Sequence, residues 1–301
     1  MTGHSGLRSA LGNVAVTTVS PFVPDGSDID DRAVRSNAEW LVERGIQVLI
    51  PAGNTGEHHS LASEEWSRLV DATIEAVGAS ATVMPAVSGP VQVVARAASH
   101  AAARGAPGVL LLPLHNTYTS QEGTRRYYEA VLDAVDLGVV IYLRDGSPDP
   151  GVENLLEHPN LAGVKWAVSN VNQFANARRA DPDNHVAWTC GIAESWAPMF
   201  YLSGAIGMTS GIGNFAPHIP LALHEAAMAG DWPTAMRLRN VASQFESLRA
   251  RHGNANNVPA VKQAMEMCGL AAGPVRPPLS EVPSGELSDL GDAVRIIREE
   301  I

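Results

Sequence analysis

The chain has 301 residues, 45% of them hydrophobic and 18% charged, which supports a folded core and excludes a disordered or collagen-like chain. Its net charge of −11 argues against a general nucleic-acid-binding protein. Two cysteines cannot build a disulfide framework or a four-thiolate zinc site, no apolar run is long enough to span a membrane, and the N-terminal residues lack a signal-peptide core. We therefore expect a cytoplasmic globular protein that binds neither nucleic acid nor membrane.

Short β-rich runs alternate with helical stretches through most of the chain, at the spacing of a strand, a turn and a crossover helix. The predicted strands are Val14–Val19, Val48–Ala52, Val83–Val87, Gly108–Leu112, Val139–Leu143, Leu161–Trp166, His185–Thr189 and Ala205–Thr209.

The segments between these strands carry helix signals. Asp30–Arg44 opens with acidic residues and has apolar residues at helical spacing. Ser63 and Ser120 are each predicted to cap the N-terminus of a helix, and Pro90 is predicted to open one in its first turn.

Eight strands, each followed by a helix, predict an α/β fold, a (β/α)₈ TIM barrel, over residues 12–229. The alternative, a doubly wound open sheet, usually has a glycine-rich phosphate turn after its first strand, and residues 17–27 contain none. After Ala229 only helices are predicted, over Trp232–Leu248, Val258–Met267 and Glu286–Glu300. We assign residues 230–301 to a C-terminal helical region.

Only two of the 21 basic residues are lysines, and one of them is a candidate nucleophile. Lys165 lies in an apolar strand, where burial lowers the pKa of an amine and leaves it neutral enough to attack a ketone. The alternative is a lysine that is ion-paired or lies on an edge strand. Lys262 falls on a C-terminal helix, where a solvated or structural role is expected.

Tyr142 lies near the end of the strand that precedes the lysine strand. Catalytic groups of a barrel lie at the C-terminal ends of its strands, so this phenol could pass protons to and from a substrate. The alternative is an ordinary half-buried tyrosine.

Two glycine-containing loops follow predicted strands. After the second strand, Gly53, Asn54, Thr55 and Gly56 could turn backbone N–H groups towards a carboxylate. After the eighth strand, residues 204–217 bring Thr209 and Ser210 within reach of substrate hydroxyls. Either loop could instead be a simple turn between a strand and a helix.

Three histidines are candidate metal ligands of the kind found in a metal-dependent aldolase. His58, His59 and His115 have no metal-ligand spacing, either with one another or with a carboxylate, so we expect surface imidazoles. We predict neither a metal nor a cofactor.

Taken in chain order, these features resemble the dihydrodipicolinate synthase and N-acetylneuraminate lyase superfamily of Schiff-base aldolases. The resemblance covers nearly the whole chain, from residues 14–26 through the G-N-T-G-E loop and the G-V-K of the lysine strand to G-P-V-R-P-P-L at 273–279. It implies that Lys165 forms an imine with a 2-keto acid, that Tyr142 relays protons, and that Asn54 and Thr55 hold the keto acid's carboxylate. It also implies a homo-oligomer, either a dimer or a tetramer.

The chain departs from the synthases at three positions. Ser147 stands where their arginine binds the aldehyde substrate, with Arg144 displaced from that position, and His115 stands at about the place of a tyrosine from the neighbouring subunit, with Tyr118 nearby. Asn54 replaces a relay threonine. Lysine biosynthesis is therefore not expected.

Other runs are closer to the 5-dehydro-4-deoxyglucarate dehydratase branch, among them Y-x-R-D at Tyr142 and the segment 193–207. That branch usually has a cysteine before its G-T-G-E motif, where this chain has Gly53 followed by Asn54. The resulting hypothesis is a dehydratase of a keto-deoxy sugar acid, with or without decarboxylation, in which Thr209, Ser210 and Arg144 contact the distal end of the substrate. The alternatives are a pyruvate-dependent synthase or aldolase and an inactive keto-acid-binding protein.

Overall fold

The computed structural model describes residues 4–114, 118–146 and 151–300. In these ranges the strands are β1 Val14–Thr17, β2 Val48–Ile50, β3 Thr82–Val83, β4 Ala86–Val87, β5 Gly108–Leu111, β6 Gly138–Arg144, β7 Leu161–Ala167, β8 Ala187–Cys190 and β9 Gly207–Ser210. The helices are α1 Ser5–Ala10, α2 Asp31–Glu43, α3 Ser63–Val77, α4 Val91–Ala103, α5 Gln121–Asp133, α6 Val171–Arg179, α7 Ala197–Leu202, α8 His218–Ala229, α9 Trp232–Arg249, α10 Arg251–Asn254, α11 Asn257–Met267 and α12 Leu287–Glu299.

The strands form one parallel sheet that closes on itself. Its order runs β3-β2-β1-β9-β8-β7-β6-β5-β4, and only Met84 and Pro85 separate the two end strands along the chain. The Met84 N–H donates to Leu49 on one side, and the Pro85 carbonyl accepts from Leu110 on the other. β3 and β4 are thus two parts of one predicted strand, and the predicted TIM barrel is confirmed.

The apolar runs become strands because both faces of each are covered. Inside the barrel, side chains such as Val48, Leu110 and Val140 form one apolar cluster, and the cluster outside packs the strands against the helices. The C-terminal helices α9, α11 and α12 belong to the outer cluster.

A helix that was not expected closes the N-terminal end of the barrel. Leu7 of α1 is buried in the interior cluster, and a Cβ on Gly108 would lie 2.3 Å from its Cδ2 atom. Leu7 fills the space next to Gly108 and Gly138, so a larger residue would not fit at either position.

Two local predictions were wrong. Between β6 and β7 the described residues contain only the 3₁₀ turn Val152–Asn154 and no α-helix; this connection contains two glycines and three prolines, which disfavour one. Ser63 lies inside α3 rather than at its cap, where the Ala62 N–H donates to Glu65 instead. The Ser120 cap is confirmed, because its side chain accepts the Gly123 N–H. None of the helices in the described ranges is long and apolar enough to cross a membrane.

Candidate active site

Lys165 and Tyr142 lie side by side at the C-terminal end of the barrel. They are register partners on the neighbouring parallel strands β7 and β6, and the Lys165 Nζ atom lies 4.4 Å from the centre of the Tyr142 ring. Parallel pairing forces this proximity, because paired residues of adjacent strands point to the same face. Both side chains are buried.

The Lys165 amine is held close to its neutral form. Its pKa is lowered to about 7, mainly by burial and to a smaller extent by the positive charges of Arg144 and Arg249, while Cys190 acts in the opposite direction. Among the described residues, no carboxylate lies within salt-bridge distance of Nζ. Because β7 pairs with both β6 and β8, it is not an edge strand. Lys165 is therefore neither ion-paired within the described ranges nor placed on an edge strand.

The Tyr142 phenol is also desolvated. Burial raises its pKa, while the Arg144 charge and a hydrogen bond with the Asn54 side chain oppose that shift. Asn54 belongs to the loop after β2, so this loop contacts the tyrosine as well as lining the pocket.

In the loop at residues 53–57, the glycines do not provide the left-handed backbone conformation that their presence suggested. Left-handed backbone occurs at Ala52 (φ 57°) and Glu57 (φ 54°), not at the glycines. Gly56 is required for space, since a Cβ there would lie 2.9 Å from the Thr18 carbonyl oxygen, whereas Gly53 has no neighbour that close. Thr55 Oγ1 lies 3.0 Å from Thr17 Oγ1 of β1, which fixes its hydroxyl in the pocket wall.

A set of buried charges ties this loop to the C-terminal part of the chain. We name Glu57, Lys262 and Arg276 the tail clamp. Lys262 Nζ lies 2.6 Å from Glu57 Oε1 and donates to the Pro274 carbonyl at 2.7 Å, and the Arg276 N–H donates to Glu57 Oε2 at 2.8 Å. Of the two roles expected for Lys262, the structural one is confirmed.

The tail clamp continues through the guanidinium of Arg276. Two of its N–H groups donate to Glu65 of α3 at 2.8 and 2.6 Å, and it stacks on Phe22 at 4.0 Å. The G-P-V-R-P-P-L segment therefore anchors the active-site loop to the barrel.

Thr209 and Ser210 lie at the end of β9 and line the same pocket as Lys165. The Thr209 hydroxyl donates to the Cys190 carbonyl at 3.4 Å. Ser210 Oγ accepts the Gly213 N–H at 2.8 Å and is hydrogen-bonded to Glu194. Arg144, at the end of β6, is half-buried and lines the pocket from the other side.

The pocket has a volume of about 750 Å³. Eight of the nine site residues predicted from the sequence line it, and the ninth, Gly56, lies beneath the loop. Ser147 and His115, at two of the departures from the synthase pattern, lie outside the described residues. Tyr118 is described and is 90% exposed.

Arg249 and Glu194 also lie at this site, although no sequence pattern predicted them. Arg249 lies at the end of α9 and pairs with Glu246 at 2.8 Å. Its guanidinium fits against Gly211 because that residue has no side chain: a Cβ on Gly211 would lie 2.6 Å from Arg249 Nη1. The glycine-rich run around Gly211 was a signal of close approach, but it did not identify what approaches.

The histidines after the loop do not form a metal site. His59 is exposed as expected, but His58 is half-buried rather than a surface imidazole: its Nδ1 atom lies 2.9 Å from the Ala52 carbonyl oxygen, and burial lowers its pKa to about 4. Across the described ranges, no group of three or more potential ligands among His, Cys, Asp and Glu could hold a metal ion.

Comparison with known proteins places this geometry in a family. The model of the dihydrodipicolinate synthetase family matches residues 10–297. The chain is 34% identical to a probable 5-dehydro-4-deoxyglucarate dehydratase of Xanthobacter autotrophicus, over 92% of this chain and 93% of that one. It is 32% identical to a 4-hydroxy-tetrahydrodipicolinate synthase of Methanosphaerula palustris, over 92% and 96%.

Among solved structures, dihydrodipicolinate synthase from Oceanobacillus iheyensis superposes with a TM-score of 0.93 at 31% identity, covering 97% of this chain and 98% of that one. The match therefore extends over the barrel and the C-terminal helices together. The chain belongs to the dihydrodipicolinate synthetase family of lyase-type enzymes.

Proposed function

We propose that this protein is a Schiff-base-forming lyase that acts on a 2-keto acid. The observation that carries the proposal is the buried Lys165 amine, which has a pKa of about 7 and no acidic partner in the described ranges, and which faces a pocket. A neutral amine attacks a ketone carbon, and the resulting iminium accepts the electron pair released when a neighbouring C–H bond breaks.

The neighbouring groups support the remaining steps of this chemistry. Tyr142, beside the amine, would carry protons to and from the carbinolamine and the activated carbon. Asn54 and Thr55 would hold the carboxylate of the keto acid, with Gly53 lining the pocket beside them and Gly56 allowing the loop to pack against β1. No metal or cofactor is needed for these steps.

We propose a keto-deoxy sugar acid as the substrate, such as 5-dehydro-4-deoxyglucarate, which loses water with or without carbon dioxide. Several relatives with this name, including the one that is 34% identical, support the proposal. Thr209, Ser210 and Arg144 line the pocket and would supply two hydroxyls and a cation, which suit the polar distal end of such an acid.

A second candidate is a pyruvate-dependent synthase or aldolase. The 32% identity to a 4-hydroxy-tetrahydrodipicolinate synthase supports it. Incubation with pyruvate and aspartate semialdehyde, or with simple aldehydes, would yield a condensation product from a synthase and none from a dehydratase. An inactive keto-acid-binding protein would be stabilised by its ligand but would turn over no candidate.

Borohydride trapping tests the mechanism directly. The protein is incubated with pyruvate or with 5-dehydro-4-deoxyglucarate, reduced and analysed by peptide mass spectrometry. We expect a reduced adduct on the peptide that contains Lys165, with the better-labelling ligand indicating the substrate class. The absence of an adduct with both ligands would contradict the imine mechanism.

Replacement of the lysine gives the matching kinetic test. We expect Lys165→Arg to retain the fold and the positive charge but to abolish turnover, because a guanidinium stays protonated and cannot attack a carbonyl. Circular dichroism and thermal unfolding control for folding. Appreciable residual turnover in a folded variant would contradict the proposal.

A further inference from the structure

Glu194 is a buried carboxyl group that the proposed imine chemistry does not use. It lies in the turn between β8 and α7 and is 0% exposed. Within the described ranges no cation lies within salt-bridge distance of it, since Arg249 pairs with Glu246 instead, and its Oε2 atom has no hydrogen-bond partner. An unpaired carboxylate in such a place is costly, so burial favours the neutral acid.

The backbone at this turn is strained as well. Ala193, the residue before Glu194, has a φ of 57°, in the left-handed region that costs an alanine about 1 kcal/mol or more. Strain next to a buried, uncompensated acid is typical of a functional site rather than of a packing position. The strained turn directs the carboxyl group inward, towards Ser210.

Burial outweighs the neighbouring groups that would stabilise a Glu194 carboxylate. Burial raises its pKa to about 8, and the negative charge of Glu246 on α9 acts in the same direction. The Ser210 hydrogen bond and the charge of Arg249 oppose the shift. Cys190 on β8 and Tyr201 on α7 also face it, and burial keeps both of these neutral.

Ser210 connects this acid to the pocket. A serine hydroxyl can accept two hydrogen bonds and donate one. Oγ accepts the Gly213 N–H at 2.8 Å and donates to Glu194 Oε1. When Glu194 is protonated, this second hydrogen bond can reverse, so that Oε1 donates to Oγ. The serine's own hydrogen is then available to the pocket that contains Lys165 and Tyr142.

We propose that Glu194 and Ser210 form a proton relay that protonates the departing hydroxyl group of the substrate. This inference rests on the proposed dehydration. After the imine forms, loss of a proton from the adjacent carbon gives an enamine, whose electron pair expels the hydroxyl on the next carbon. As that C–O bond breaks, the Ser210 hydrogen passes to the leaving oxygen and the Glu194 proton passes to Ser210. The products are water, an unsaturated imine and a Glu194 carboxylate, which regains its proton from water.

A substrate whose leaving group needs no proton separates this role from a structural one. 4-Fluoro-2-oxobutanoate would form the same imine and enamine but expel fluoride, a weakly basic ion. We expect Glu194→Gln to lower the dehydration rate of 5-dehydro-4-deoxyglucarate by roughly 10²-fold or more, while fluoride release, followed with an ion-selective electrode, stays near that of the wild type.

Asp181→Asn is the matched control, because Asp181 is another fully buried carboxylate but lies away from the pocket, where Trp188 and the His185 N–H donate to it. We expect this folded variant to keep both activities. In the wild type we also expect dehydration to decline as pH rises through about 8, and that decline to disappear in Glu194→Gln.

Equal loss of dehydration and fluoride release in Glu194→Gln would overturn the relay, because a damaged pocket affects both reactions. Unchanged dehydration in that variant would overturn it too. A wild-type protein that forms no borohydride-trapped imine would instead overturn the proposed function itself, so the two failures are distinguishable.

Discussion

At the scale of single residues, the chemistry depends on where the barrel removes water. Lys165 was recognisable in the sequence because a lysine inside an apolar run is rare in this arginine-rich chain. Its neutral character follows from burial and from the two flanking arginines, which no local pattern predicts. Glu194 was missed because the resemblance pointed to the whole segment 193–207 rather than to this residue, and Arg249 because it lies in a helix far along the chain.

The lowered pKa of Lys165 leads to a pH prediction. We expect the rate of imine trapping with pyruvate to rise roughly tenfold per pH unit below 7 and to level off above it, because only the neutral amine attacks. Arg144→Met removes a positive charge beside the amine, so the midpoint should move to higher pH. A wild-type midpoint near 10.5, the ordinary lysine value, would contradict the burial argument.

At the scale of elements, the active-site loop is held by contacts that are distant in sequence. Glu57 follows β2, Lys262 lies on α11, and Arg276 lies in the segment after it. The G-N-T-G-E motif pointed to the loop, but its left-handed positions and its buried ion pair emerge only when the C-terminal segment packs against the barrel. The loop and the tail clamp therefore form one unit.

Breaking the tail clamp should weaken both the fold and substrate binding. We expect Lys262→Met to cost about 3–5 kcal/mol of the free energy of unfolding, because it leaves the Glu57 carboxylate buried without its cation. The KM for the keto acid should rise as the loop loosens. Urea denaturation and steady-state kinetics measure the two effects.

The double variant Glu57→Gln with Lys262→Met serves as the control for this prediction. It removes both charges, so it should be less destabilised than Lys262→Met alone. Equal or greater loss in the double variant would show that packing, rather than the uncompensated charge, accounts for the effect.

At the scale of the whole molecule, closure of the barrel decides which residues meet. The eight predicted strands are confirmed within a few residues, since parallel strands buried on both faces read as plain apolar runs. Helix α1 was not predicted, because six residues of mixed polarity carry no helical period. Its contribution comes from Leu7, which fills the bottom of the barrel.

We expect Leu7→Ala to destabilise the protein by about 2–5 kcal/mol, because the surrounding glycines cannot fill the cavity that it leaves. Leu7→Met, which nearly conserves volume, should cost less than about 1.5 kcal/mol. Thermal unfolding of both variants compares them. Similar unfolding temperatures for Leu7→Ala and the wild type would show that α1 does not support the barrel.

The oligomeric state is a further prediction at this scale. The family resemblance leads us to expect a homodimer or homotetramer. Sedimentation velocity at micromolar protein should give a mass of two or four chains of 31.8 kDa. A single species at the mass of one chain would contradict this expectation.

The sequence by itself determined the strands along the chain, the barrel and the candidate pair of Lys165 and Tyr142, because apolar periodicity and strand-end position are local properties of the chain. The division at residue 229 remains a prediction. Only the tertiary structure decided which charges are paired: it buried Lys262 against Glu57, left Lys165 without an acid in the described ranges, and placed Glu194 behind Ser210. The physical reason is that pKa and ion pairing depend on distance and desolvation, which are set by residues far apart in sequence.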